Sequence, residues 1–204
     1  MKQKSQTPGR PRDPDVEARI LDATMRLLRE DGFTRMSIDA ISAASGASKP
    51  TIYRRWSGKE DLATAALERL RVSEPSTEGK QGMAKARAIL LNFRTSLLRP
   101  NGMALIGVVL AEEAHNPELL AHFRDRVVKP RREMLSEALK EACQMGELSA
   151  HADIDALVNM LIGSFYARYL SGSPISPVWV NRIVSQLRNR RGAQAACGAP
   201  GRPR

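Results

Sequence analysis

The stretch Ser48–Trp56, SKPTIYRRW, places two hydroxyls, one phenol and three cations within a single short segment. Wound as a helix, it must divide Lys49, Thr51, Tyr53, Arg54 and Arg55 between a packed side and a solvated one. A basic, hydroxylated helix can enter a duplex major groove, where lysine donates to guanine edges and hydroxyls reach phosphate. No other constellation carries chemistry. Ser164, in Gly163-Ser164-Phe165, lacks the strand–turn–helix context of a nucleophile elbow. There is no phosphate loop and no paired-carboxylate set, so no catalytic residue and no cofactor is expected. His115 and His122 are separated by the helix-breaking Asn116-Pro117, and His151 falls in a loop. Cys143 and Cys197 form neither a disulfide framework nor a zinc motif, so no metal is expected and a reducing, cytoplasmic setting fits.

Charge narrows the partner. The 204-residue chain carries a net +10. Lys and Arg outnumber Asp and Glu by 14 to 10 up to Arg71, stand at 12 to 12 from Val72 to Asn181, and number 6 against none beyond. The middle is balanced, which argues against a protein that simply coats DNA. Met1–Arg12 reads as a flexible basic arm without a signal-like apolar stretch, and residues 192–204 as a disordered basic tail. The longest apolar run, Met103–Ala111, is far short of the roughly 20 residues that span a bilayer.

The elements that must position the basic stretch are all helical. Asp13, Pro14, Asp15 and Glu17 make a helix start, and Val16, Ile20, Ala23, Leu27 and Leu28 recur on one face until Asp31-Gly32. Ser37 caps a second helix, with Met36 and Ile41 spaced as a hydrophobic staple. Gly46 supplies a tight turn, and Ser42, Ala43, Ala44 and Ala47 are small enough for two helices to cross closely. Ser48 caps the third helix. Ser57 and Glu60 have the spacing of a capping box opening a fourth helix to about Val72. After the linker Ser73–Gly82, helices are predicted at Met83–Arg99, Met103–His115, Pro117–Met145 (kinked by Pro130), Ile154–Ser171 and Pro177–Arg191. The fold class is all-α: a helix-turn-helix domain over 13–72 joined to a larger helical domain over 83–191.

From Val16 to Leu70 the chain resembles the tetracycline-repressor (TetR) family of transcriptional regulators. The segments ILDATMRLLREDGF, MSIDAISAASGAS, SKPTIYRRW and SGKEDL occur in the family's order and spacing. The second half resembles the family in layout and in FRDRVVKPRREML and ISPVWVNRIV. The resemblance implies a regulator, a repressor by default, released from a palindromic operator on double-stranded DNA by a small, apolar ligand. It implies that Lys49 and Thr51 face base edges. Tyr53, with Arg55 beside it, would hold phosphate, as would Ser37 with the free amides at the start of the second helix, and Lys59; Ser48, a cap, is counted among the DNA-binding residues. Arg54 points either way, and Thr34 and Arg35 are weaker backbone candidates. Trp56 reads more simply as packing.

The resemblance further implies an effector pocket and a homodimer interface. Pocket candidates are Phe93, Leu97, Leu105, Val109, Phe123, Val127, Met160 and Ser164, although apolar residues at helical spacing equally make core. Dimer candidates are Leu157, Leu161, Phe165 and Tyr169 on one helix and Val180, Ile183, Val184 and Leu187 on the next; both faces alternatively close the protomer's own core.

Overall fold

The computed structural model describes residues 14–69, 76–100 and 102–187. These residues contain helices and no strand: α1 (Pro14–Arg35), α2 (Ile38–Ser45), α3 (Lys49–Tyr53), α4 (Lys59–Glu68), α5 (Gly82–Leu97), α6 (Gly102–Ala111), α7 (Pro117–Phe123), a π-helical turn (Arg124–Val128), α8 (Lys129–Gln144), α9 (Ile154–Leu170) and α10 (Pro177–Gln186). The basic arm, the Asp13 cap, the end of the fourth helix beyond Arg69, Cys197 and the tail all lie outside the described residues. None of the described helices is long and apolar enough to cross a membrane.

The chain divides into two compact units. Among the described residues, the first takes those up to Leu67 together with Ala104–His122; the second takes those between Glu68 and Met103 and from Phe123 to Leu187. Residues 104–122, grouped with the carboxy-terminal helices on the sequence alone, therefore cluster with the amino-terminal helices.

In the first unit, α1 packs on α2 and α2 on α3. Ile20, Leu28, Phe33, Met36, Ile41, Ile52 and Leu62 are fully buried, and Trp56 is buried with them. The buried Thr24 hydroxyl is satisfied by the Ile20 carbonyl at 2.8 Å. Gly32, at φ 75°, takes the left-handed conformation and breaks the path of α1 where the sequence placed a stop. Met36 N–H then donates to the Gly32 carbonyl at 3.3 Å, delivering the chain to Ser37.

The second unit is built on α5, which packs against α8 and α10, while α8 packs on α9. Phe165 meets Phe93 and Trp179 edge-on, each at 5.0 Å between ring centres, geometries that aromatic quadrupoles favour. The kink expected from Pro130 is realised as the π turn: Lys129 N–H donates to the Arg124 carbonyl, five residues back. Arg126 in that turn grips the Glu68 carboxylate at 2.7 and 3.1 Å. The start of α5 is capped by acids from elsewhere. Glu141 accepts from Gly82 N–H at 3.2 Å and pairs with Lys85 at 2.6 Å, and Glu147 accepts from Met83 N–H at 2.8 Å. The Lys85 bond first, then the Gly82 amide, hold the Glu141 carboxyl below the ordinary glutamate range.

Candidate nucleic-acid interface

Helices α2 and α3 are joined by a turn whose parts are visible atom by atom. The Ser37 hydroxyl oxygen accepts from Ala40 N–H at 3.1 Å, and Met36 and Ile41 are both buried beneath it, as a cap with a hydrophobic staple requires. Gly46 closes α2 at φ 69° and donates its N–H to the Ser42 carbonyl. The Ser42 hydroxyl donates to the Ala47 carbonyl at 2.6 Å, which pins the turn. Ala43 and Ala44, expected at the helix crossing, are instead exposed; Ser45 and Ala47 are the buried small residues.

Two caps differ in detail from expectation. Ser48 precedes α3 in extended conformation but its hydroxyl caps no amide; it meets the Thr51 hydroxyl at 2.9 Å. The carboxylate that reaches back to Ser57 belongs to Asp61, not Glu60: Asp61 accepts from Ser57 N–H at 3.0 Å. Helix α4 begins at Lys59, one residue later than the capping-box spacing assumed, so Asp61 rather than Glu60 occupies the third helical position.

On α3 the side chains separate cleanly. Ile52 and Trp56 are buried, while Tyr53 is 55% exposed. Arg54 is exposed; its backbone N–H donates to the Pro50 carbonyl at 3.1 Å, while its guanidinium makes no hydrogen bond or ion pair among the described residues. Its neighbour Arg55 turns inward: its side chain is 16% exposed, Nη1 donates to the Thr51 carbonyl at 3.2 Å, and Nε lies 3.9 Å from Glu17 on α1. The open question about Arg54 is thus resolved toward solvent, and Arg55, expected beside Tyr53 on the solvated side, braces α3 against α1.

Four further candidates carry intramolecular partners. Lys49 Nζ pairs with the Asp39 carboxylate on the first turn of α2, with both side chains open to solvent. Hydrogen bonding to Asp39, then its charge, raises the Lys49 pKa above the ordinary lysine value. Lys59, expected on phosphate, donates to the Phe33 carbonyl at 3.0 Å and lies 4.3 Å from the centre of the Phe33 ring. Thr34 gives its N–H and hydroxyl to Glu112, beyond the end of α6, at 3.3 and 3.0 Å. Arg35 Nε donates to the Asp31 carbonyl. Asp39, Glu17 and Glu112 are the residues that sequence reasoning missed. An acid at the start of α2 is legible as a dipole partner, but its reach to Lys49 depends on the turn closing.

The pocket and dimer candidates separate by burial. Phe93, Leu97, Leu105, Val109, Phe123 and Val127 are buried, and the half-buried Ser164 donates to the Leu161 carbonyl at 2.6 Å. Met160 is 62% exposed and stands on the solvent side of α9, opposite Val158, Leu161 and Phe165, so it lines no interior space. Two surface hollows of about 400 and 380 Å³ in the second unit are walled mainly by charged and amide side chains, and none of the eight candidates lines either. Of the dimer candidates, Leu161, Phe165, Val180 and Val184 are core residues of their own unit, Leu157, Ile183 and Leu187 are half-buried, and Tyr169 is exposed. The outward faces of these helices instead carry Met160, Gly163, Ala167 and Leu170 on α9 and Val178 on α10. Within the same unit Arg131 lies 5.0 Å over the Phe93 ring and reaches the Ser96 hydroxyl at 3.2 Å. Burial raises the Tyr166 phenol pKa, opposed by the Arg131 charge.

Two family models match the chain, and their boundary follows the sequence order rather than the two compact units, since residues 104–122 fall within the second match. Residues 20–66 match the family described as bacterial regulatory proteins, tetR family. Residues 84–187 match the tetracyclin repressor-like, C-terminal domain. An uncharacterized HTH-type transcriptional regulator of Mycobacterium tuberculosis is 35% identical over 167 residues, covering 78% of this chain and 80% of the relative. A DNA-binding transcriptional repressor, TetR, of Mycobacteroides abscessus is 26% identical over 174 residues, covering 83% and 90%. The crystal structure of the transcriptional regulator FadR from Bacillus subtilis in complex with stearoyl-CoA superposes with a TM-score of 0.67 at 19% identity, covering 84% of this chain and 97% of that one.

Proposed function

Because the chain belongs to the tetR family of bacterial regulatory proteins, and so is a DNA-binding transcriptional regulator, we propose that it acts as a homodimeric, cytoplasmic repressor released from its operator by a small ligand. The observation that carries the DNA-reading part is the solvent side of α3. Tyr53 and Arg54 stand exposed there, beside a Ser37-capped α2 whose first amides lack intrahelical acceptors. Lys49 and Thr51 read bases; Tyr53, Arg54 and the amides at the start of α2 hold phosphate. Arg55 and Lys59 hold the reader in place. The chain works by occupying DNA and carries out no turnover.

A second copy is the natural occupant of the apolar outer stripe of α9 and α10. Met160, Gly163, Ala167 and Leu170 recur at helical spacing, and the small residues between the larger ones allow close helix approach. The interface is therefore drawn on the faces opposite Leu161, Phe165, Val180 and Val184. The effector is placed among the buried apolar residues of the helical half, including Phe93, Leu97, Phe123 and Val127, and shifts the dimer population away from the DNA-binding spacing. Repression in the Mycobacteroides abscessus relative supports that sign of regulation.

Selection of bound duplexes from a random pool tests the proposal. An inverted repeat with half-sites about one helical turn or a multiple of it apart is expected. Recovery of no enriched motif would defeat it.

A further inference from the structure

Asp39 projects from the first turn of α2 and binds the ammonium of Lys49, the first residue of α3. Its side chain is 70% exposed and that of Lys49 is 54% exposed, so the pair sits open on the face assigned to DNA. A lysine at such a position is a flexible point charge that any backbone phosphate attracts, and phosphate contacts carry no sequence information. The carboxylate beside it changes that preference. A phosphate that approaches Lys49 also approaches Asp39, an anion meeting an anion. A guanine edge presents O6 and N7 as neutral acceptors and meets no such repulsion. The ammonium has three hydrogens, so it can keep one bond to Asp39 and give another to a base.

We propose that Asp39 is a specificity-determining residue of DNA binding, which holds Lys49 off backbone phosphate and leaves it available to an uncharged base edge. This rests on the DNA-reading role given above. Asp39 weakens binding to random sequence more than binding to the operator. It thereby widens the ratio between them without a base contact of its own.

The test uses the full chain, an operator selected from a random pool, and a random duplex of equal length, titrated across a salt series. Wild type, Asp39→Asn, Lys49→Met and the double variant are compared. Asp39→Ser serves as a second removal of the carboxylate that does not depend on how an amide behaves at that position. Asp39→Asn and Asp39→Ser should each tighten random-duplex binding about three- to tenfold at low salt and hold operator affinity within about twofold. The slope of log K against log salt on random DNA should steepen by about 0.9, the value for one added phosphate contact. In the Lys49→Met background the same Asp39 changes should leave that slope unaltered. Random-duplex affinity and slope unchanged by both Asp39 variants would overturn the inference. Equal steepening with and without Lys49 would also overturn it, because Asp39 would then act only as a diffuse negative charge. Failure of the wild type to prefer any selected duplex over random DNA would overturn the regulatory reading itself, and this inference with it.

Discussion

The ammonium of Lys59 is bound twice to one residue: it donates to the Phe33 carbonyl at 3.0 Å and lies 4.3 Å from the centre of the Phe33 ring. Phe33 follows the left-handed Gly32 that ends the regular path of α1, and Lys59 is the first residue of α4. The contact closes the helix-turn-helix on itself. Lys59→Met keeps the stem but loses the charged hydrogen bond and the cation–π contact, together about 1–3 kcal/mol. Thermal unfolding should show that loss, with DNA affinity falling about equally on all sequences. Unchanged stability with weaker DNA binding would return Lys59 to the phosphate role read from the sequence.

Glu112 takes both the N–H and the hydroxyl of Thr34 across 78 residues of chain, and also accepts from the Asn116 amide. It ties the turn after α6 to the end of α1. A double-mutant cycle of Glu112→Ala and Thr34→Val should give a coupling of about 0.5–1.5 kcal/mol in unfolding free energy. Glu112→Gln, which retains an acceptor oxygen, should recover most of it. Strictly additive effects would show that the contact carries no energy.

The adjacent arginines of α3 should separate in their salt dependence. Arg54→Ala removes an exposed cation. It should weaken operator and random DNA alike and lower the salt slope by about 0.9. Arg55→Ala removes a brace to the Thr51 carbonyl and to Glu17, so it should lower thermal stability with little change in slope. The reverse pattern would mean that Arg55 swings out to meet phosphate.

Glu141 gives the second unit a pH signature. Its folded pKa lies below the usual value because Lys85 and the Gly82 amide favour the carboxylate. Such a group stabilises the fold above its unfolded pKa, and the contribution is lost as pH falls through the folded value. Glu141→Gln should therefore melt lower than wild type at pH 7, and the gap should close as the pH is taken below about 4. A gap that persists unchanged at pH 3 would exclude ionisation as its source.

Much of the local chemistry was legible in the sequence, though Ser48 caps no amide and Asp61 rather than Glu60 reaches back to Ser57. Ser37 caps α2, Gly46 turns left-handed and Pro130 forces an irregular turn because each effect acts within about five residues. The tertiary partners of the cations were not legible. Nothing in the order of residues says that Glu112 meets Thr34, that Glu17 draws Arg55 inward, or that Asp39 reaches Lys49. Periodicity also failed to separate two kinds of burial. Leu161, Phe165, Val180 and Val184 repeat as an interface face would, yet they close their own unit. An apolar helical face shows the same spacing whether it meets its own chain or another. The outer stripe around Met160 was harder to see because glycine and alanine, which make close approach possible, add little to an apolar pattern.

The division of labour on α3 is tested most directly by repeating the duplex selection with Lys49→Ala. Preference should relax at one base pair in each half-site, with the rest of the motif and its symmetry retained. An unchanged motif from that variant would contradict the assignment of Lys49 to a base.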